Sequence, residues 1–240
     1  METKEKTHLD ICLEEFVKKL KDTYQEDLKS VILYGSAASG EFLKENSNIN
    51  LLVILANASL ENLGKVAPLI NAYKYRFIDP LFFSEEYMVG SLDVFPIEFL
   101  DIQENYKVIF GKDVIGYLKI DIKNLRFQCE QELKVKLIKL KNEYLRTRNK
   151  IYLRDRLFKS VNSIVHILRN VLRLKGKKPA YQKEDVLNEV SWEFSIDTTN
   201  IANILDARRK NLRLNAKKID ELFVGLVRDL EIIIAIIDKL

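Results

Sequence analysis

Cysteine is nearly absent from this chain. Its 240 residues contain two, Cys12 and Cys129, far apart and without a Cys or His neighbour at ligand spacing. That excludes a disulfide framework and argues against a structural zinc site. Histidine is equally scarce, at His8 and His166, and no Ser-His-Asp set, P-loop or dinucleotide fingerprint stands out. Long apolar runs are missing too. Among the longest, Ile232 to Ile237 is far shorter than a bilayer span and sits between Glu231 and Asp238. The opening METKEKTHLD lacks the apolar stretch of a secretory leader, so the expectation is a cytoplasmic protein without a membrane partner. A net charge of +4 is too small to argue for nucleic acid by itself.

Glycine and proline thin out along the chain. From Asn124 onward there are two glycines and one proline, and charges alternate with Leu, Ile and Val at helical spacing. This change of composition puts a domain boundary near residue 120, dividing the chain into 1–120 and 121–240. The length is enough for one large core or two small ones.

What the first half does contain is VILYGSAASGEFLKENSNINLLVIL, residues 31 to 55. Two β-branched apolar runs, Val31 to Tyr34 and Ile49 to Leu55, flank a Gly-Ser turn and a short polar segment, which reads as strand, turn, helix, strand. A glycine at the end of a strand lets the backbone approach a phosphate closely, and Ser36 offers a hydroxyl and an N–H at the start of the next turn. Alternation puts Asn48 and Asn50 on one face of the second strand and Ile49, Leu51 and Val53 on the other.

These residues resemble the signature of the nucleotidyltransferase superfamily, the fold typified by polymerase β and kanamycin nucleotidyltransferase. That signature is a hydrophobic strand, Gly-Ser, a spacer, and Asp-x-Asp inside a second hydrophobic strand. Gly35 and Ser36 match its first half, and Asn48-Ile49-Asn50 stands where Asp-x-Asp is expected. The resemblance implies that Gly35 and Ser36 bind a triphosphate. It further implies that positions 48 and 50, with a third acid on a later strand, hold magnesium. Within VFPIEFLDI, residues 94 to 102, the hydrophobic-acid-hydrophobic pattern makes Glu98 the candidate for that acid, with Asp101 second. Magnesium prefers oxygen ligands that include carboxylates. Asparagine offers only a neutral carbonyl, and exchanging both aspartates removes two negative charges that a two-metal reaction relies on.

Around this motif the chain reads in order. Leu9, Leu13, Phe16, Val17 and Leu20 give an amphipathic helix over residues 7 to 28. Ser59 caps a helix reaching Tyr75 that Pro68 divides, and FIDPLFF follows as a strand. A short acidic helix from Ser84 leads to a strand holding Glu98, with Pro96 placing that strand at an edge or bulge. ENYKVIFGKDVIGYL reads as a strand and then a solvated turn at Lys112 and Asp113. In the second half, apolar stripes predict helices near residues 125–148, 154–174, 186–194, 201–208 and 215–240, with a stop at Gly176 and Pro179. The basic clusters Lys175–Lys178 and Arg208–Lys218 read as solvated faces that leave room for RNA. His166 reads as a helix-flank residue.

The expected fold class is α+β, a small mixed-sheet nucleotidyltransferase domain followed by an all-α helical bundle. The expected function is a protein of that superfamily with a degenerate metal site. It has lost metal-dependent transfer and serves as a scaffold for a nucleotide, an RNA or a protein. The alternative is an active magnesium-dependent enzyme moving a nucleoside monophosphate from an NTP to a hydroxyl or a protein side chain. Oligomerisation is compatible with either.

Overall fold

The computed structural model describes residues 8–39, 48–73, 77–180 and 182–240, with the side chains of residues 8, 9, 36 and 39 outside the description. The chain divides into two compact units, Met1–Ile120 and Asp121–Leu240.

The first unit is built on a four-stranded mixed sheet of order β3-β2-β1-β4. Its strands are β1 (Leu28–Tyr34), β2 (Ile49–Leu55), β3 (Ile78–Ser84) and β4 (Tyr106–Gly111). β1 runs antiparallel to β2 and β4, whereas β3 runs parallel to β2. β2 is a continuous apolar run because both of its faces are covered. Leu51, Val53 and Leu55 face a core with Phe16 and Leu20 of α1 (His8–Tyr24). Leu52 and Ile54 face a second core with Met88, Phe99 and Ile115.

Local signals account for the short helices. Ser59 accepts a hydrogen bond from the Asn62 N–H to start α3 (Leu60–Gly64), and α4 (Ala67–Tyr73) begins beside Pro68. Ser84 caps α5 (Glu85–Gly90) in the same way, accepting from Tyr87. Between β1 and β2 lies α2 (Ser36–Ser39).

Residues 94–102, expected as a strand, instead enter α6 (Pro96–Glu104). Pro96 sits in its first turn, where the missing N–H costs nothing and the fixed φ suits a helix. Nine residues with mixed spacing satisfy either period, and burial of Ile97, Phe99 and Ile102 against the sheet selected the helix. The proline inside a strand is Pro80, in β3 at the sheet edge, where one side of the backbone has no ladder to serve.

The second unit is helical: α7 (Ile122–Arg146), α8 (Lys150–Arg173), α9 (Lys183–Phe194), α10 (Thr199–Arg209) and α11 (Ala216–Ile237). Asp121, Asn149 and Asn215 cap α7, α8 and α11 through their side-chain oxygens. The expected stripes are the core, with Leu133, Leu157, Val161, Ile164, Leu226 and Leu230 fully buried. His166 is exposed on α8. The architecture is thus a small mixed-sheet α+β unit followed by an all-α unit.

Candidate functional site

The end of β1 turns sharply at Gly35, whose φ of +74° belongs to the left-handed region. Its N–H donates to the Asn105 carbonyl at 3.0 Å, and its own carbonyl accepts from the Ala38 N–H at 3.0 Å. A Cβ at this position would stand 3.2 Å from Nδ2 of Asn50. Conformation and close approach both call for glycine, and the turn brings Gly35 and Asn50 together.

Register then assembles a polar row across the sheet. Tyr34 pairs with Asn50 on one side and Tyr106 on the other, and Asn50 pairs with Asp79 on β3. Residues in register on neighbouring strands share a face, so Asp79, Asn50, Tyr34 and Tyr106 form one line at the end of the second core. Asp79 is exposed, and Asn50 and Tyr34 are half-buried. Burial first, and then the Asp79 charge, hold the Tyr34 phenol above its ordinary pKa. Tyr34 therefore remains a neutral hydroxyl over the physiological range.

The far end of the row is committed to structure. The Tyr106 hydroxyl donates to Oδ2 of Asp113 at 2.8 Å, and Oδ1 of Asp113 accepts from the N–H groups of Ile115 and Gly116, each at 2.9 Å. Burial opposes the Asp113 charge, but these three donors outweigh it and leave the carboxyl below its ordinary range. Asp113 fastens the turn after β4.

The other predicted residues fall as follows. Asn48 is exposed, one position before β2. Ser36 opens α2, and its side chain lies outside the described residues, as does the whole 40–47 spacer. Glu98 is exposed in the first turn of α6 and does not occupy a strand. The acid that does lie on a later strand, in register with Asn50, is Asp79. Ile78-Asp79-Pro80-Leu81 is itself a hydrophobic-acid-hydrophobic pattern and was the available signal. Among the described residues no group of three His, Cys, Asp or Glu side chains is placed to hold a metal ion.

A Gly turn closing the first strand, a neighbouring strand whose polar end faces it, and an acid on the third strand define a nucleotidyltransferase-type sheet. The family model described as a nucleotidyltransferase domain matches residues 13–211, and the chain belongs to that family. Among solved structures it is similar to spectinomycin adenyltransferase AAD(9) from Enterococcus faecialis, solved with ATP and spectinomycin. The two share 17% identity with a TM-score of 0.58, over 91% of this chain and 98% of that one. That likeness is one of fold. No curated protein matches the sequence.

Proposed function

We propose that this chain binds a nucleotide on the sheet face beside Gly35 and has lost magnesium-dependent nucleotidyl transfer, so that it works as a scaffold for a nucleotide, an RNA or a protein. The observation that carries this reading is the donor set along the row. Asp79 supplies one carboxylate, Asn50 a neutral amide and Tyr34 a neutral phenol, and Asn48 adds a second amide just outside β2. In such reactions the ions are held by carboxylates together with the substrate phosphates. One carboxylate with two amides does not fit a two-ion site. Gly35 adds no side chain of its own at the turn, and Nδ2 of Asn50 beside it offers a neutral donor to a phosphate.

A second reading keeps the activity. Asp79, in register with Asn50, retains one anionic ligand, and Glu98 on α6 is a further acid of the same unit. In that case magnesium arrives with the NTP, Asn48 and Asn50 act as neutral ligands, and the acceptor is a hydroxyl or a protein side chain. The fold neighbour was solved with ATP, so ATP is the first nucleotide to try. Pyrophosphate release from ATP and magnesium separates the readings. None is expected from the native chain, and steady release in a single-turnover or multiple-turnover assay would overturn the scaffold proposal.

A further inference from the structure

α7 is apolar on two opposite sides. Leu125, Cys129, Leu133 and Leu140 are buried in the helical unit. On the other side Phe127, Val135, Ile138 and Leu145 are 58–78% exposed, with Gln131 and Asn142 exposed between them. At the helical spacing of about 3.6 residues per turn these six positions share an arc of roughly 80° and run for about 27 Å. Ten of the 25 residues of α7 are charged, yet none falls among the six. Scattered surface apolar residues keep no such period, so the line reads as a seam.

The order of residue types along the seam is the same from either end: apolar, amide, apolar, apolar, amide, apolar. Laid antiparallel on a second copy of itself, it sets Phe127 against the partner's Leu145, Gln131 against the partner's Asn142 and Val135 against the partner's Ile138. Each apolar side chain meets an apolar one, and each amide meets an amide that can both donate to it and accept from it. An amide left unpaired in an apolar contact costs free energy, so this match also fixes the register. The flanks agree with it. Lys134 and Lys141 on one side are already paired with Glu130 and Glu231, and on the other side the reversal brings Lys139 near the partner's Glu132, of opposite sign. Leu145 borders a hollow of about 310 Å³ with Tyr144, Phe223, Val224 and Val227. An apolar cavity of about 150 Å³ holds benzene, so this hollow has room for the ring of the partner's Phe127.

We propose that the seam is a self-association surface, on which two copies of this chain pair α7 against α7, antiparallel, about a twofold axis between Val135 and Ile138. The contact uses the helical unit alone. A strip about 27 Å long and, with the border of α11, about 20 Å wide covers on the order of 500 Å² per protomer. The total of about 1,000 Å² lies at the lower end of specific interfaces, so the expected dimer is micromolar rather than permanent. This inference goes beyond the nucleotide-binding proposal and stands or falls without it.

Sedimentation velocity of the full chain over a concentration series up to about 200 µM tests the association, and oxidative cross-linking reads the register. The native chain is expected to dimerise with little dependence on salt, because the seam is uncharged. Ile138→Glu sets a charge beside the axis and should weaken the dimer on the order of tenfold or more. Cys12 and Cys129 are buried, so introduced thiols report alone. Gln131→Cys combined with Asn142→Cys should form a disulfide between copies. Gln131→Cys by itself should not, since its two copies stand about 16 Å apart along the helix direction, beyond disulfide reach. An unchanged circular dichroism spectrum establishes folding, and the cross-linking pair keeps the test decisive should Ile138→Glu fail to fold. A monomer at every concentration, a folded Ile138→Glu variant that dimerises like the native chain, no cross-link in the double cysteine variant, or cross-linking by Gln131→Cys alone would each overturn the proposal.

Discussion

Asp229→Asn should stabilise the helical unit, and only at the alkaline side of the carboxylate range. Asp229 lies on α11, 4% exposed. One carboxylate oxygen accepts from Nδ2 of Asn200 at 3.2 Å, while Oδ2 is buried without a hydrogen-bond partner among the described residues. Gly225, one turn earlier, leaves the space that Asn200 fills; a Cβ there would meet Cγ of Asn200 at 2.6 Å. Burial pushes the Asp229 pKa up, the Asn200 hydrogen bond and Arg228 pull it down, Asp197 pushes it up again, and the net direction is upward. The folded carboxyl therefore holds its proton to higher pH than the unfolded one. Below the ordinary carboxylate pKa both states are protonated and the contribution is fully favourable. As pH rises the unfolded chain ionises first, so stability falls until the folded carboxyl ionises too.

Leaving a buried acceptor unsatisfied costs about 1–3 kcal/mol, and more when it is charged. Asparagine keeps an oxygen for Asn200 and removes the charge. The variant should gain about 1–2 kcal/mol near pH 8 and almost nothing near pH 4. Urea unfolding followed by circular dichroism and by Trp192, the single tryptophan and a residue of α9, reads the helical unit directly. An unchanged pH slope, or a variant less stable than the native chain at pH about 8, would refute the reasoning.

Three further outcomes follow from the first unit. Gly111→Ala should destabilise by about 2 kcal/mol or more in thermal or urea unfolding, because φ is +81° and the added Cβ would fall 2.0 Å from the Lys29 carbonyl oxygen. Leu52→Ala empties a fully buried position on β2 and should cost about 2–5 kcal/mol by the same measurement. Asp79→Asn, at an exposed position, should leave the fold intact and lower the Tyr34 phenol towards its ordinary value, since it removes the second of the two causes that raise it; spectrophotometric titration of tyrosine ionisation reads this, with Tyr34→Phe identifying the signal.

Most of the architecture can be read locally. β2 shows itself as an unbroken apolar run because both faces are covered, Ser59, Ser84 and Asn215 mark the helix starts they cap, and Pro68 marks a division. α6 could not be read in this way, because its nine residues fit either period and only their burial against Ile32, Leu52 and Ile54 decides. The site divides along the same line. Gly35 and Asn50 belong to one short motif and can be paired by spacing. Asp79 reaches them only through the parallel β2–β3 register, which is set by a crossover and not by any local pattern. Asp229 and Asn200 likewise meet through packing of α10 on α11, and nothing in either segment alone announces the pair.

The most direct measurement of the central claim is calorimetric titration with ATP, with and without magnesium, of the native chain and of the Asn48→Asp, Asn50→Asp double variant. The account predicts weak ATP binding by the native chain that magnesium does little to strengthen, and a clear magnesium-dependent gain in the double variant, where two carboxylates rejoin Asp79. Tight binding by the native chain that requires magnesium would contradict the loss of the metal site, and no ATP binding by either protein would contradict a nucleotide site beside Gly35.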